Sequence, residues 1–309
     1  MAKTLDILRI AYIILVHKNP EQLARLVSRL NTPYCYFFIH VDIKESLEIY
    51  RSEAHLIASG RLHFLKQYDG AWGKFGILQA EVTALKEIES TKVPYDFVLL
   101  LSGQDYPIKN NQFIFNYLSA HRGKSFLNFS SMPVPGWNDG GMYRINRYHF
   151  TLWGKSYAYP PYKAPKSLRH KVFNFFFQLY FGKRTMPYGL KPFLGEHWWC
   201  LSKESVTYIL QFLLEHPVYY KFHRYSLCAD EIFFHTILLN SRNPSIQKNM
   251  VNDHLRYIDW TDGKDSPSIL TIKDLDYLMQ SPKLFARKFD LEVDAAIMDR
   301  IDQKILLES

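Results

Sequence analysis

Two stretches near the N-terminus carry apolar side chains without alternation, Ile10 to Val16 (IAYIILV) and Cys35 to Val41 (CYFFIHV). A strand covered on both faces reads this way, because neither face meets water. Between them the period changes. Leu23, Leu26, Val27 and Leu30 recur at helical spacing after Asn19 and Pro20, which predicts a helix with Asn19 as its cap and proline in the first turn. A third strand is predicted over 61–65, and a helix over 76–89 with Leu78, Val82, Leu85 and Ile88 on one face. A further apolar strand follows over 96–101 (DFVLLL). This β-α-β-β-α-β alternation predicts a nucleotide-binding α/β sheet whose ligands sit beyond the carboxyl ends of the strands. His17, His40, Asp42, Asp105 and Lys109 all fall at such ends.

The pattern loosens over 131–195, where proline, glycine and aromatic residues (SMPVPGWNDGGMYRINRYHF, YAYPPYKAPK) predict a long irregular excursion across the ligand face. Beyond it the spacing predicts a strand at 197–201, helices over 203–214 and 229–240, a strand-like LRYIDW at 255–260, and helices near 272–280 and 291–305. Within LLLSGQDYPIK, Asp105 reads equally as part of a solvated loop, a turn around Pro107 or a helix start, with Asn110 or Asn111 capping the helix that follows.

Composition narrows the function classes. With 309 residues and 47% hydrophobic content the chain can bury a full core. The net charge of +8 points to an anionic partner: nucleic acid, a membrane surface or a phosphorylated small molecule. The lysines and arginines are scattered and no RNP, KH or helix-turn-helix pattern occurs, which argues against nucleic acid. Cys35, Cys200 and Cys228 form no CxxC pair, so reduced thiols are expected rather than a disulfide or a zinc site. The apolar N-terminal stretch is interrupted by Asp6 and Arg9 and is too short to span a bilayer, which reads as a cytoplasmic chain. Residues 166–184 (KSLRHKVFNFFFQLYFGKR) place Phe173, Phe176, Phe177 and Tyr180 at helical spacing, with Lys166, Arg169, Lys171, Lys183 and Arg184 towards the ends. Peripheral contact with the inner face of a membrane is one reading; a buried or dimer-forming helix is the other.

Six motifs, in order, carry a resemblance: IHVDIKES, LLSGQDYPIK, GEHWWCLS, CADEIFFH, LRYIDW and LFARKFD. Together they resemble the core-2/I-branching β-1,6-N-acetylglucosaminyltransferase family, glycosyltransferase family 14, which includes the peptide O-xylosyltransferases. The resemblance runs over about residues 10–295. It implies an α/β GT-A-type glycosyltransferase fold: a nucleotide-binding mixed sheet flanked by helices, with the aromatic-rich excursion laid over it. A single domain over 1–309 is expected, with 1–125 as the nucleotide-binding half and 126–309 as the acceptor and catalytic half. It further implies inverting transfer from a UDP-sugar donor to a glycan or glycolipid acceptor. A bacterial enzyme of surface-polysaccharide assembly is the natural context.

That reaction needs a carboxylate to take the acceptor's proton and cations or a metal to stabilise the departing diphosphate. Glu231 matches the family's catalytic glutamate, although Asp230 and Glu231 also read as first-turn acids at a helix start. Lys288 matches the diphosphate-contacting lysine of metal-independent members, and Arg287 beside it either shares the role or, on a helix, faces another way. Asp265 stands where a second basic residue is expected, with Lys264 as a substitute. No Asp-x-Asp motif is present: Asp105 lies near its place, with Gly103 for the other acid. Metal is therefore not strictly required, and Mn²⁺ or Mg²⁺ remains open. His17, Asp42, Trp72, Lys74, Ser102 and Asp105 are the remaining donor-side candidates. Glu196, Trp198, Trp260, Arg144 and Arg147 are the acceptor-side candidates, since sugars offer an apolar face to tryptophan and hydroxyls to acids. Trp199 reads as core. The competing reading is a catalytically degenerate GT-A-fold binding or scaffold protein.

Overall fold

A computed structural model describes residues 7–53, 60–162, 168, 171–172, 175–176, 179, 184–261, 263 and 266–307. Its centre is a seven-stranded mixed sheet in the order Met250–Val251, Ser125–Leu127, Trp199–Ser202, Phe97–Ser102, Ile10–Val16, Cys35–Val41, Leu62–Phe64. The four strands from Phe97–Ser102 to Leu62–Phe64 run parallel, and Trp199–Ser202 is antiparallel to both of its neighbours. The sheet thus draws strands from both halves of the chain.

The uninterrupted apolar run of Ile10–Val16 has the cause the pattern suggested. Successive side chains point to opposite faces, and each face has its own core. Ile10, Tyr12 and Ile14 pack with helices Pro20–Leu30 and Ala296–Leu307, while Ala11 and Ile13 pack with helices Phe75–Thr91 and Lys203–Glu215. Cys35, Cys200 and Cys228 are buried free thiols inside or beside these layers.

Several expected elements change shape. Asn19 precedes helix Pro20–Leu30 but caps nothing with its side chain, which reaches Asp290 Oδ1 at 2.9 Å instead. Asn110 does cap helix Asn111–Ala120, accepting from the Phe113 N–H at 2.7 Å. The helix expected over 229–240 is broken into a 3-10 turn, Ala229–Glu231, and a short helix, Phe233–Leu239. The break follows from Cys228, whose left-handed backbone (φ 48°) starts the turn, and from Ile232, whose backbone is non-helical (φ −125°). LFARKFD is not helical around Arg287: Phe285–Arg287 is the middle strand of a small sheet between Arg256–Ile258 and Asp105–Pro107. Asp105 is therefore a strand residue, not a loop or helix start. The 131–195 excursion holds a regular hairpin, Tyr148–Leu152 with Lys155–Tyr159.

Of the 166–184 segment, Phe173, Phe177 and Tyr180 lie outside the described residues, as do Lys166, Arg169 and Lys183. Phe176 is helical and exposed. Arg184 is not a surface cation. It is 6% exposed, donates to the carbonyls of Ile145, Arg147 and Tyr225 at 2.9, 2.7 and 3.1 Å, and lies 3.9 Å from the Phe222 ring. No helix among the described residues is long and apolar enough to cross a membrane.

Candidate active site

The ends of Ile10–Val16, Cys35–Val41 and Phe97–Ser102 open into a cavity of about 500 Å³. The loop at 70–73, the turn Ala229–Glu231 and the strand Phe285–Arg287 close its sides. Ten of the residues singled out from sequence line it: His17, Asp42, Trp72, Ser102, Glu196, Trp198, Glu231, Trp260, Arg287 and Lys288. His40 and Asp230 line it too, as do His197, Lys44, Glu45 and Gln104, which sequence reasoning passed over.

At the strand ends the polar groups are held by backbone. Asp42 accepts from the N–H of Lys44 at 2.9 Å on one oxygen and of Gly70 at 2.8 Å on the other. A Cβ on Gly70 would come within 2.9 Å of that second oxygen, so a larger residue there would displace the Asp42 carboxylate. His40 accepts from the Tyr68 N–H at 2.9 Å through Nε2, and burial pushes its pKa down to about 4. Its imidazole is neutral at physiological pH.

The floor is a buried charge cluster. Asp105 and Arg256 are both fully buried and paired at 3.1 Å, and Arg287 lies 3.5 Å from the same carboxylate. Asp105 also accepts from the Ser102 N–H at 3.1 Å, which ties the small sheet to the large one. The Arg287 guanidinium stacks 3.9 Å from the Trp198 ring, and its Nε and Nη1 have no hydrogen-bond partner among the described residues. Burial lowers the pKa of Arg287; Asp105 opposes this and Arg256 adds to it. Partial burial lowers that of Lys288 and neighbouring Arg287 adds to the effect. Two arginines thus share the buried Asp105 carboxylate, with Lys288 next to Arg287 in sequence, a concentration of positive charge that a bound anion would relieve.

The cavity lining also presents carboxylates. Glu231 is bonded to the Arg144 guanidinium, and Glu196 lies 3.0 Å from Nε2 of His254. Arg144 also lies 5.3 Å from the Trp137 ring. Asp230 is buried behind Glu231, and desolvation, opposed by His197 and reinforced by Glu231, pushes its pKa up to about 7.

Five candidates are placed elsewhere. Asp105 lies beneath the floor, not at its surface, so it reaches a ligand only through the arginines it holds. Lys74 turns to Asp69 at 2.5 Å on the rim of a neighbouring groove. Arg144 meets the cavity only through Glu231. Arg147 donates to the carbonyls of Pro160 and Pro161 and packs 4.8 Å from the Tyr162 ring, which ties down the excursion. Lys109 donates to the Met279 carbonyl at 3.0 Å, away from the cavity. Lys264 and Asp265 lie outside the described residues. Among the described residues no group of three or more His, Cys, Asp or Glu side chains is arranged to hold a metal ion.

A family profile described as Core-2/I-Branching enzyme matches residues 10–278. The chain is 27% identical to xylosyltransferase 2 of Rattus norvegicus over 327 aligned positions, covering 96% of this chain and 33% of that protein. It is 25% identical to the N-acetyllactosaminide β-1,6-N-acetylglucosaminyl-transferase of Homo sapiens, covering 91% of this chain and 68% of that one. The chain spans about a third of the length of the xylosyltransferase. Among solved structures, apo mouse xyloside xylosyltransferase 1 aligns over 90% of this chain and 97% of its own, at 12% identity and a TM-score of 0.36.

Proposed function

The chain belongs to the Core-2/I-Branching enzyme family, and from that premise we propose that it is an inverting glycosyltransferase moving a sugar from a UDP-sugar to an acceptor hydroxyl. N-acetylglucosamine is the first-choice sugar and xylose the second, in keeping with the two kinds of relative. The acceptor is a glycan or glycolipid of surface-polysaccharide assembly, met at the cytoplasmic side of a membrane.

One observation carries the reading: Glu231 and Lys288, distant in sequence, line the same cavity. An alcohol is a weak nucleophile near neutral pH, so a positioned carboxylate that accepts its proton during attack lowers the barrier. Glu231 has that role, with Arg144 fixing the orientation of its carboxylate. As the bond to the diphosphate breaks, negative charge grows on the leaving oxygens. Lys288 and Arg287, both lining the cavity, are the groups that meet it. His17 and Asp42 at the strand ends take the nucleoside, while Trp198, Trp260 and Glu196 face the acceptor. Cations placed before the charge develops need no reorganisation at the moment of reaction.

A thermal-shift panel of UDP, UDP-N-acetylglucosamine, UDP-xylose, UDP-glucose, GDP and CMP, each with EDTA and with Mn²⁺, tests the reading. A ligand that binds only the folded state raises the midpoint by mass action. A shift selective for uridine nucleotides that survives EDTA is expected. A shift that requires Mn²⁺ would move the charge-stabilising role to a metal, and no uridine shift at all would favour a scaffold protein with a degenerate site.

A further inference from the structure

Glu81 has no part in the mechanism above, yet it is a fully buried acid in the middle of helix Phe75–Thr91. An ionised carboxylate at such a place is costly unless a cation pairs with it. Its hydrogen-bond partner is the imidazole of His197, met at Nε2. His197 in turn puts Nδ1 3.7 Å from Oδ2 of Asp230, the residue immediately before Glu231. Three buried or nearly buried groups from three separate elements thus run in line from the helix interior to the turn that carries the candidate base.

We propose that Glu81 is a positioning residue for Glu231: its neutral carboxyl donates to Nε2 of His197, fixes the imidazole with its proton on Nδ1 facing Asp230, and so holds the Ala229–Glu231 turn. The inference rests on the transferase reading for its consequence, but the tautomer itself does not depend on that reading.

The surroundings agree with this arrangement. Desolvation raises the pKa of Glu81 well above the usual range, against only the Trp199 indole N–H. Burial lowers that of His197, opposed by Asp230 and Glu231 and reinforced by Arg287 and Arg256. His235 also faces the imidazole, and Cys228 faces Asp230. Among the neutral states, an O–H donated to Nε2 puts the ring proton on Nδ1, on the Asp230 side, whereas an Nε2–H donated to the acid's carbonyl leaves Nδ1 bare. The ¹H–¹⁵N spectrum separates the two. In the first of these, Nδ1–H faces Asp230 Oδ2 at 3.7 Å, an electrostatic contact beyond hydrogen-bond distance that favours keeping the turn, and with it Glu231, in register with the cavity.

Long-range ¹H–¹⁵N correlation spectra of the full chain, with the His197 signals identified by their loss in His197→Gln, read the tautomer directly. A neutral ring protonated on Nδ1 near neutral pH is expected. An imidazolium, or a ring protonated on Nε2, would overturn the proposal. Glu81→Leu removes the donor: the Nδ1–H signature should be lost and the turnover of UDP-N-acetylglucosamine should fall about tenfold or more with UDP affinity unchanged. Glu81→Gln keeps an N–H donor towards Nε2 and should restore the signature and most of the rate. Equal losses in both variants would contradict a donor role. If Glu81→Leu does not fold, the wild-type spectrum and Glu81→Gln still decide. If wild type turns over no UDP-sugar, the transferase reading fails while the spectrum still tests the tautomer.

Discussion

Arg256 and Asp105 on the floor of the cavity are both 0% exposed, whereas Arg144 and Glu231 on its wall meet with the carboxylate side chain still 24% exposed. Both are arginine–carboxylate pairs, but water reaches only one of them. The floor pair therefore cannot give up a partner without stranding a buried charge, and its use is structural: it positions Arg287 under the ligand. The wall pair, reached by water, can loosen as a ligand enters, which is what the proposed role of Glu231 as proton acceptor requires. Burial, not residue type, separates the supporting pair from the one proposed to act.

The sharpest way to break that contrast is Asp105→Ala. Removing one partner of a buried pair typically costs about 3–5 kcal/mol, and here it leaves two arginines without their carboxylate. A denaturant melt should show a loss on that order; a loss below about 1 kcal/mol would mean that the floor is solvated and the contrast is false.

Lys288→Ala comes next. A charged hydrogen bond to a ligand contributes about 1.5–3 kcal/mol, so UDP affinity measured by calorimetry should fall about tenfold to a hundredfold while the melt hardly changes. Unchanged affinity would place the diphosphate elsewhere.

Asp230 gives a pH test. Its pKa is raised in the folded state to about 7 from an ordinary 3.8. Its contribution to stability is thus fully present below about pH 4 and is lost as pH rises towards 7. The midpoint of Asp230→Asn minus that of wild type should therefore climb across this window. A flat difference would show that Asp230 is ionised throughout.

The smallest effect is expected at Lys74. It pairs with Asp69 with both side chains 40% exposed, and such pairs contribute about 0–1 kcal/mol. Lys74→Ala should leave UDP affinity and stability within error. A large loss of affinity would return Lys74 to the donor site.

These differences mark what was legible in the sequence. Ile10–Val16 and Cys35–Val41 announced themselves because each face of the sheet is covered, and a two-sided core leaves an unbroken apolar run. His17 and Asp42 followed from being at those strand ends. The motifs carrying Glu231 and Lys288 brought both to the cavity lining. Asp105 was not, because its meaning depends on Arg256, 151 residues away, and no local pattern links the two. The Glu196–His254 pair and the Glu81–His197 contact are of the same kind. Helix 229–240 misled because its apolar spacing is real, while the left-handed backbone at Cys228 starts a turn that the spacing does not register. LFARKFD misled because a three-residue strand is too short to show alternation.

The most direct test of the central claim is Glu231→Gln, which keeps the shape and removes the proton acceptor. UDP release from UDP-N-acetylglucosamine or UDP-xylose and UDP binding by calorimetry should be measured on the same preparation. A rate loss of about a hundredfold to ten-thousandfold with UDP affinity retained is the predicted result. Turnover near the wild-type rate would contradict the assignment of Glu231 as the base.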